Sequence, residues 1–169
     1  ATPIAMQQCS HPFSAAALVL EWHVLGMFVP SFFTGHLIRR FGVLPILAAG
    51  LVLNIGSVAF ALSGTDLMHF TGALFALGVG WNFLYVGGST LLGQAHRPEE
   101  RTTAQGAMDT CVYATMAITS FSSGALVTSG GWQSMNLGSL VPLALLGLAL
   151  AWLAIQPRAA ENAPATKGG

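Results

Sequence analysis

Residues 32–50 read FFTGHLIRRFGVLPILAAG, and this stretch indicates how the whole chain is organised. Arg39 and Arg40 separate one long apolar run from the next. Arginines in this setting are typical of the short loops that join membrane-spanning helices, where they keep the loop in the cytoplasm. Gly35 and Gly42 flank the pair, and we expect both to supply the backbone freedom that a sharp reversal of the chain requires.

The composition predicts a membrane protein. Of the 169 residues, 53% are hydrophobic and 7% are charged, whereas a soluble domain carries about 25% charged residues. Five apolar runs approach or exceed the roughly 20 residues that cross a bilayer as a helix, and none shows the period of two that a membrane barrel requires. The predicted fold is therefore an all-α, polytopic membrane helical bundle with five spans: 14–38, 43–62, 70–92, 106–129 and 135–155.

The remaining segments predict the orientation of the chain. Residues 1–13 are interpreted as the end of a truncated span and an outer loop, and residues 156–169 as a disordered cytoplasmic tail. All basic residues lie in the loops after the first and third spans or in the tail: Arg39, Arg40, Arg97, Arg101, Arg158 and Lys167. By the positive-inside rule this side is cytoplasmic, so we expect a multi-pass protein of the plasma (inner) membrane with a cytoplasmic carboxyl terminus.

The arginine-containing loop also carries a motif. Its pattern resembles the cytoplasmic loop signature of the major facilitator superfamily, roughly G-x-L-a-D-R-x-G-r-r, through Gly35, Leu37, Arg40 and Gly42. Arg39 stands where that family has an Asp, so the resemblance does not extend to a gating role for this motif. Three further segments resemble the tenth helix, the following loop and the end of the eleventh helix of the family: residues 78–92, 97–109 and 122–132. The resemblance implies the second six-helix half of a secondary transporter that works by alternating access.

The resemblance also implies the partners. These are a small-molecule substrate, the lipid bilayer and a missing amino-terminal half of the same chain, with protons as a further hypothesis. The formal net charge is zero, which gives no argument for nucleic acid. Because the sequence has no HExxH, GxSxG or glycine-rich phosphate motif, we expect no enzyme activity, no cofactor and no metal. The alternative is a non-transporting multi-span scaffold or assembly protein.

Two ionisable residues in the first span are candidates for a substrate or proton pathway, because such groups are costly within a membrane. Glu21 and His23 point about 200° apart on a helix, so they form two separate hypotheses. His23 shares its face with Gly26 and Met27, and such a face packs on protein or lines a cavity. Glu21 shares its face with apolar residues, so it needs a donor from another helix or a bound proton.

A second set of candidates lies in the third span, at Trp81, Asn82 and Tyr85. Asn82 and Tyr85 share a helix face, and the resemblance implies that this helix lines the central cavity. The alternative for Asn82 is a structural hydrogen bond between helices. Further along, Asp109 either forms a gating ion pair with Arg101 or acts as a first-turn acid that stabilises the start of the fourth span.

Two features predict the shape and packing of the helices. Prolines within or at the edge of spans predict kinks, at Pro30, Pro45 and Pro142. Small residues at helical spacing in the fourth span predict close packing on other helices; they include Thr110, Ala114, Ala117 and Gly124.

Overall fold

The computed structural model describes residues 1–156, which are helical apart from short connections. This part of the chain contains six helices in order: α1 (Thr2–Gln8), α2 (Phe13–Phe28), α3 (Ser31–Phe41), α4 (Val43–Leu62), α5 (Leu67–Ala95) and α6 (Arg101–Ile155). Helices α4, α5 and α6 are each long and apolar enough to cross a membrane, and α2 with α3 meets the same criterion as one bent span. The predicted all-α membrane bundle is thus confirmed. The tail predicted to be disordered lies, from residue 157 onward, outside the described residues.

The first predicted span is broken near its middle. Helix α2 ends at Phe28, α3 begins at Ser31, and the two are bent by 41°. Pro30 lies in the break, where it has no N–H to continue the hydrogen bonds of α2. Pro45 lies in the first turn of α4, where helix N–H groups need no intrahelical partner. The kink predicted at Pro30 is therefore present.

The fourth and fifth predicted spans are joined in the 55-residue helix α6. Gly131, with φ 75° and ψ 177°, has the non-helical backbone angles that divide α6. We call residues 101–130 the first arm and residues 132–155 the second arm. The connection expected near residues 130–134 is thus a corner at one residue, and glycine is the residue that adopts this positive φ without strain.

Gly42 reverses the chain between α3 and α4. Its φ is 90°, and its N–H donates to the carbonyl of Ile38 at 2.8 Å. Arg39 and Arg40 occupy the last turn of α3, where the helix dipole favours cations. Gly35 lies inside α3 with no atom within 4 Å of an added Cβ. The expectation of backbone freedom at Gly35 is therefore wrong, because the chain reverses after the helix has ended.

The two ends of the bundle differ in charge. Because successive helices reverse direction at short connections, the basic residues of the α3–α4 and α5–α6 connections share one end, which we call the arginine end: Arg39, Arg40, Arg97 and Arg101. The opposite end carries Asp66 in the α4–α5 connection and, within residues 1–156, no Arg or Lys, and α1 packs there against α2, α5 and the corner of α6. Trp132 Nε1 donates to the carbonyl of Ala61 at 2.9 Å, which ties the corner of α6 to the end of α4.

Helix α5 lies between α2 and α4 and contacts both through glycines. Gly78 lies directly against the backbone of α2 at His23 and Met27, and Gly80 lies against Gly50 of α4. Small residues allow this close approach, which stabilises membrane helix pairs through dispersion contacts. The packing fixes the position of the middle of α5 relative to the break in α2–α3.

We expect Gly78→Ala to destabilise the bundle. The added Cβ would overlap the His23 carbonyl and lie 3.0 Å from the Met27 nitrogen, and overpacking of this kind costs about 1–3 kcal/mol. The thermal unfolding temperature of the purified full-length protein in detergent measures the effect. Gly56→Ala in α4 is the matched control, since nothing lies within 4 Å of a Cβ there. Equal unfolding temperatures for the two variants would contradict the close packing.

Candidate functional site

A cavity of about 270 Å³ lies between the α2–α3 break, α5 and the first arm of α6. We call it the inner cavity. Four aromatic and two polar side chains line it, together with apolar residues: Phe28, Trp81, Tyr85, Tyr113, Ser31 and Asn82. Residue 81 is the middle of the 29-residue helix α5, so the cavity lies about 20 Å from either end of that helix. This depth corresponds to the midplane of a membrane that α5 crosses.

Aromatic rings form the walls of the inner cavity. The rings of Trp81 and Tyr85, one turn apart on α5, are stacked with centroids 4.8 Å apart and an interplanar angle of 8°. Phe28 and Tyr113 face the cavity from α2 and α6, and their exposed fractions of 61% and 59% show that the cavity is open. Flat aromatic walls favour ligands with a planar ring, which gain from offset stacking.

Asn82 holds the α2–α3 break in place. Only 2% of its surface is exposed, and its Nδ2 donates to the Met27 carbonyl at 2.7 Å and to Ser31 Oγ at 2.6 Å. The Met27 carbonyl is one of the last four of α2, which an ideal helix leaves without a partner. Asn82 thus supplies a donor that the backbone no longer provides. The geometry favours the structural alternative for Asn82, although its side chain also borders the cavity.

Thr34 completes the same network from α3. Its hydroxyl oxygen lies 2.8 Å from Asn82 Oδ1 and 2.7 Å from the Pro30 carbonyl oxygen. A single hydroxyl proton serves one of these acceptors at a time. The Met27 carbonyl can only accept, so the amide nitrogen of Asn82 must face it, and this fixes the orientation of the amide.

His23 packs against α5 instead of lining the inner cavity. Its Nδ1 lies 2.8 Å from the carbonyl oxygen of Leu74, and because a carbonyl only accepts, Nδ1 carries the proton. The small residues on the His23 face let α5 pack closely. Of the two alternatives for this face, packing on protein or lining a cavity, the structure shows the first. Within residues 1–156, no three His, Cys, Asp or Glu side chains are grouped so as to hold a metal ion.

Glu21 lies on the other side of α2. It is exposed and borders a shallow apolar groove of about 620 Å³ with Ala17, Leu20, Val24 and Leu25. The described part of the chain offers it no hydrogen bond or ion pair. Seven residues, or about 10 Å of helix, separate it from Phe28 of the inner cavity. Glu21 and His23 are therefore placed in different surroundings, in keeping with two separate hypotheses.

Asp109 forms a hydrogen bond with α5 and takes neither of the two roles expected from the sequence. Its Oδ1 accepts hydrogen bonds from Tyr85 Oη at 2.8 Å and from Gln105 Nε2 at 2.8 Å. Arg101 lies two turns away, about 12 Å along α6, and donates instead to the His96 carbonyl at 3.4 Å. The Asp109–Arg101 ion pair is not formed in the structure of residues 1–156. Asp109 is also not a first-turn acid, because α6 begins at Arg101.

A second cavity of about 480 Å³ lies on the arginine-end side of Asp109. We call it the polar groove. Its polar lining comes from α6, through Arg101, Thr102, Gln105 and Asp109, and glycine and leucine residues complete it. Two of these four side chains, Arg101 and Asp109, are candidates from the sequence.

Sequence reasoning also missed Tyr113 and Gln105. Both are four residues from Asp109 and therefore share its helix face, so the helical spacing could have revealed them.

The chain is similar to a known family and to several known proteins. The Major Facilitator Superfamily matches residues 1–169. The riboflavin transporter RfnT of Brucella anthropi is 46% identical over 160 residues, which cover 95% of this chain and 40% of that protein. Two uncharacterized MFS-type transporters of Bacillus subtilis are also similar. YdeG is 29% identical over 86% of this chain and 34% of its own length, and YddS is 30% identical over 89% and 35%. No solved structure gives a significant match.

The matches extend beyond the loop motif. The family match covers the full sequence, whereas the chain spans between 34% and 40% of the length of these relatives. The resemblance inferred from Gly35, Leu37, Arg40 and Gly42 is confirmed. The chain belongs to the major facilitator superfamily.

Proposed function

We propose that this chain is the carboxyl-terminal part of a secondary transporter that moves riboflavin, or a similar molecule with a planar ring system, by alternating access. The inner cavity carries the proposal, because it combines stacked aromatic walls with a position near the membrane midplane. Binding sites at that depth, beside interrupted helices, are characteristic of secondary transporters. The name of the relative that is 46% identical supports riboflavin as the substrate. Since the curated relatives are described as transporters, the scaffold alternative is not favoured.

The shape of the inner cavity suits the flat part of such a substrate. Riboflavin has a fused planar ring system and a polyhydroxylated ribityl chain. The stacked pair Trp81–Tyr85 offers a flat surface, and Tyr113 lies across the cavity on α6. At about 270 Å³ the cavity is slightly smaller than the roughly 300–1,000 Å³ of sites for drug-sized ligands. It would therefore bind the ring system and leave the chain outside.

The rest of the binding site would come from the amino-terminal half of a longer protein. The small residues that predict close packing on the first arm of α6 are exposed in the described chain, at Thr110, Ala114 and Ala117. Small-residue faces allow close helix packing in membranes, and this one adjoins Tyr113. A second half packed on this face would cover the open side of the inner cavity.

The orientation and the energy source complete the proposal. The arginine end would face the cytoplasm of the cell in the plasma membrane, as the positive-inside rule indicates. Proton movement would drive accumulation through Glu21, which lies in the middle of α2 among apolar residues. His23 is less suited to this role, because the Leu74 carbonyl already holds its Nδ1.

Trp81→Ala tests the ring-binding role of the inner cavity. Stacking of a base-like ring on an aromatic side chain contributes about 1–3 kcal/mol, so we expect the KM for riboflavin uptake to rise roughly 5- to 150-fold. Uptake of labelled riboflavin into vesicles that contain the full-length protein measures the KM. Trp152→Ala, on the exposed surface of the second arm of α6, is the control and should leave the KM unchanged. If wild-type protein moves no riboflavin, or if both variants behave alike, the proposal is wrong.

A further inference from the structure

The inner cavity and the polar groove meet at one hydrogen bond. Tyr85 lines the cavity, Asp109 lines the groove, and the Tyr85 hydroxyl donates to Asp109 Oδ1 at 2.8 Å. On α6, Gln105, Asp109 and Tyr113 follow at four-residue spacing and so share one face. The two spaces therefore adjoin at the Tyr85–Asp109 pair, along one face of α6. The inner cavity is aromatic and lies near the midplane, and the polar groove lies toward the arginine end.

Asp109 presents an unused acceptor to the polar groove. Its Oδ1 receives both hydrogen bonds, from Tyr85 and Gln105, and Gln105 Oε1 in turn accepts from Ser89 Oγ at 2.6 Å. These contacts hold the carboxylate in one position. The structure of residues 1–156 gives Oδ2 no partner, and Oδ2 is not a buried atom. Asp109 lines the groove next to the aromatic cavity, and its second carboxylate oxygen is accessible and has no partner in the described chain.

We propose that the polar groove binds the hydroxylated chain of the substrate while the ring system occupies the inner cavity. Asp109 Oδ2 accepts a hydrogen bond from a hydroxyl group of that chain and is thereby a specificity-determining group. This inference rests on the proposed function. A hydrogen bond from a hydroxyl to a carboxylate is stronger than one between neutral groups.

The proposal distinguishes two ligands that share a ring. Lumiflavin has the ring system of riboflavin with a methyl group in place of the ribityl chain. We expect the purified full-length wild-type protein to bind riboflavin at least about tenfold more tightly than lumiflavin, since a bond to a charged group contributes this much or more. Quenching of flavin fluorescence on titration with protein gives both Kd values in detergent solution.

Two variants of Asp109 test the role of its carboxylate. Asp109→Ala should bring the ratio of the two Kd values close to one, mainly by weakening riboflavin binding. Asp109→Asn keeps the size but loses the charge, so the ratio should fall by roughly fivefold. Glu99→Gln, an exposed acid in the α5–α6 connection, is the matched control and should leave both Kd values unchanged. Trp81→Ala should weaken the binding of both flavins by a similar factor.

The outcomes separate this inference from the proposed function. Equal wild-type affinity for riboflavin and lumiflavin would overturn the inference and leave flavin transport standing. An unchanged ratio in both Asp109 variants would do the same. If the wild-type protein binds neither flavin, the proposed function fails, and the assignment of the polar groove fails with it.

Discussion

Asn82→Leu is expected to destabilise the protein by roughly 1–5 kcal/mol, since it removes the two interhelical hydrogen bonds that Asn82 donates and an acceptor of Thr34, and such bonds contribute about 0.6–1.7 kcal/mol each in a membrane protein. Leucine has nearly the shape of asparagine, so the loss would come from polar contacts. The Met27 carbonyl and Ser31 Oγ would lose their donor, and Thr34 would lose an acceptor. Because these groups fix the α2–α3 break, we also expect the positions of Phe28 and Ser31 in the inner cavity to change, and transport to fall sharply.

Thermal unfolding of the full-length protein in detergent measures the loss, and riboflavin uptake measures its consequence. Asn136→Leu is the matched control, because within residues 1–156 buried Asn136 donates only to its own helix, at the Trp132 carbonyl 2.9 Å away. Thr34→Val removes one contact of the network and should have an intermediate effect. A similar unfolding temperature for Asn82→Leu and Asn136→Leu would show that Asn82 does not hold the break.

Much of the fold could be predicted from the sequence because lipid imposes simple constraints. Apolar length and the absence of a period-two pattern predict helices, and the extent of α4 coincides with the apolar run at 43–62. The complete break at Pro30 could not be predicted. A proline alone permits a kink within a continuous helix. The break here is accompanied by a donor from Asn82, about fifty residues away in the sequence.

The candidate site was predicted less completely than the fold. Trp81 and Tyr85 were identified, and the structure places both in the inner cavity. The partner of Asp109 was not identified, because it is a tyrosine on another helix and the sequence alone does not give the register between α5 and α6. That register depends on the close packing of α5 on its neighbours. The start of α6 at Arg101 also lies before the apolar run, because polar residues extend a helix beyond the membrane.

Glu21→Gln is expected to abolish the accumulation of riboflavin driven by a pH gradient while leaving riboflavin binding intact. A carboxylate within the hydrocarbon costs about 2.5–3.5 kcal/mol or more, and the residues that border its groove are all apolar. A bound proton removes this cost, and the release of the proton on the other side of the membrane would couple the two movements. Glutamine keeps the size and polarity of the side chain but binds no proton.

Vesicles that contain the full-length protein and hold a pH difference of one unit provide the measurement. That gradient stores about 1.36 kcal/mol per proton, so a carrier coupled to one proton should concentrate riboflavin about tenfold. The Glu21→Gln variant should only equilibrate it, and Glu99→Gln should concentrate it as wild type does. If the Glu21→Gln variant still accumulates riboflavin, another residue must bind the proton. If riboflavin transport by the wild-type protein does not respond to the pH gradient, proton coupling is excluded. Because His23 is held by the Leu74 carbonyl, we expect His23→Gln to lower stability and leave coupling in place, which separates the two ionisable residues of α2.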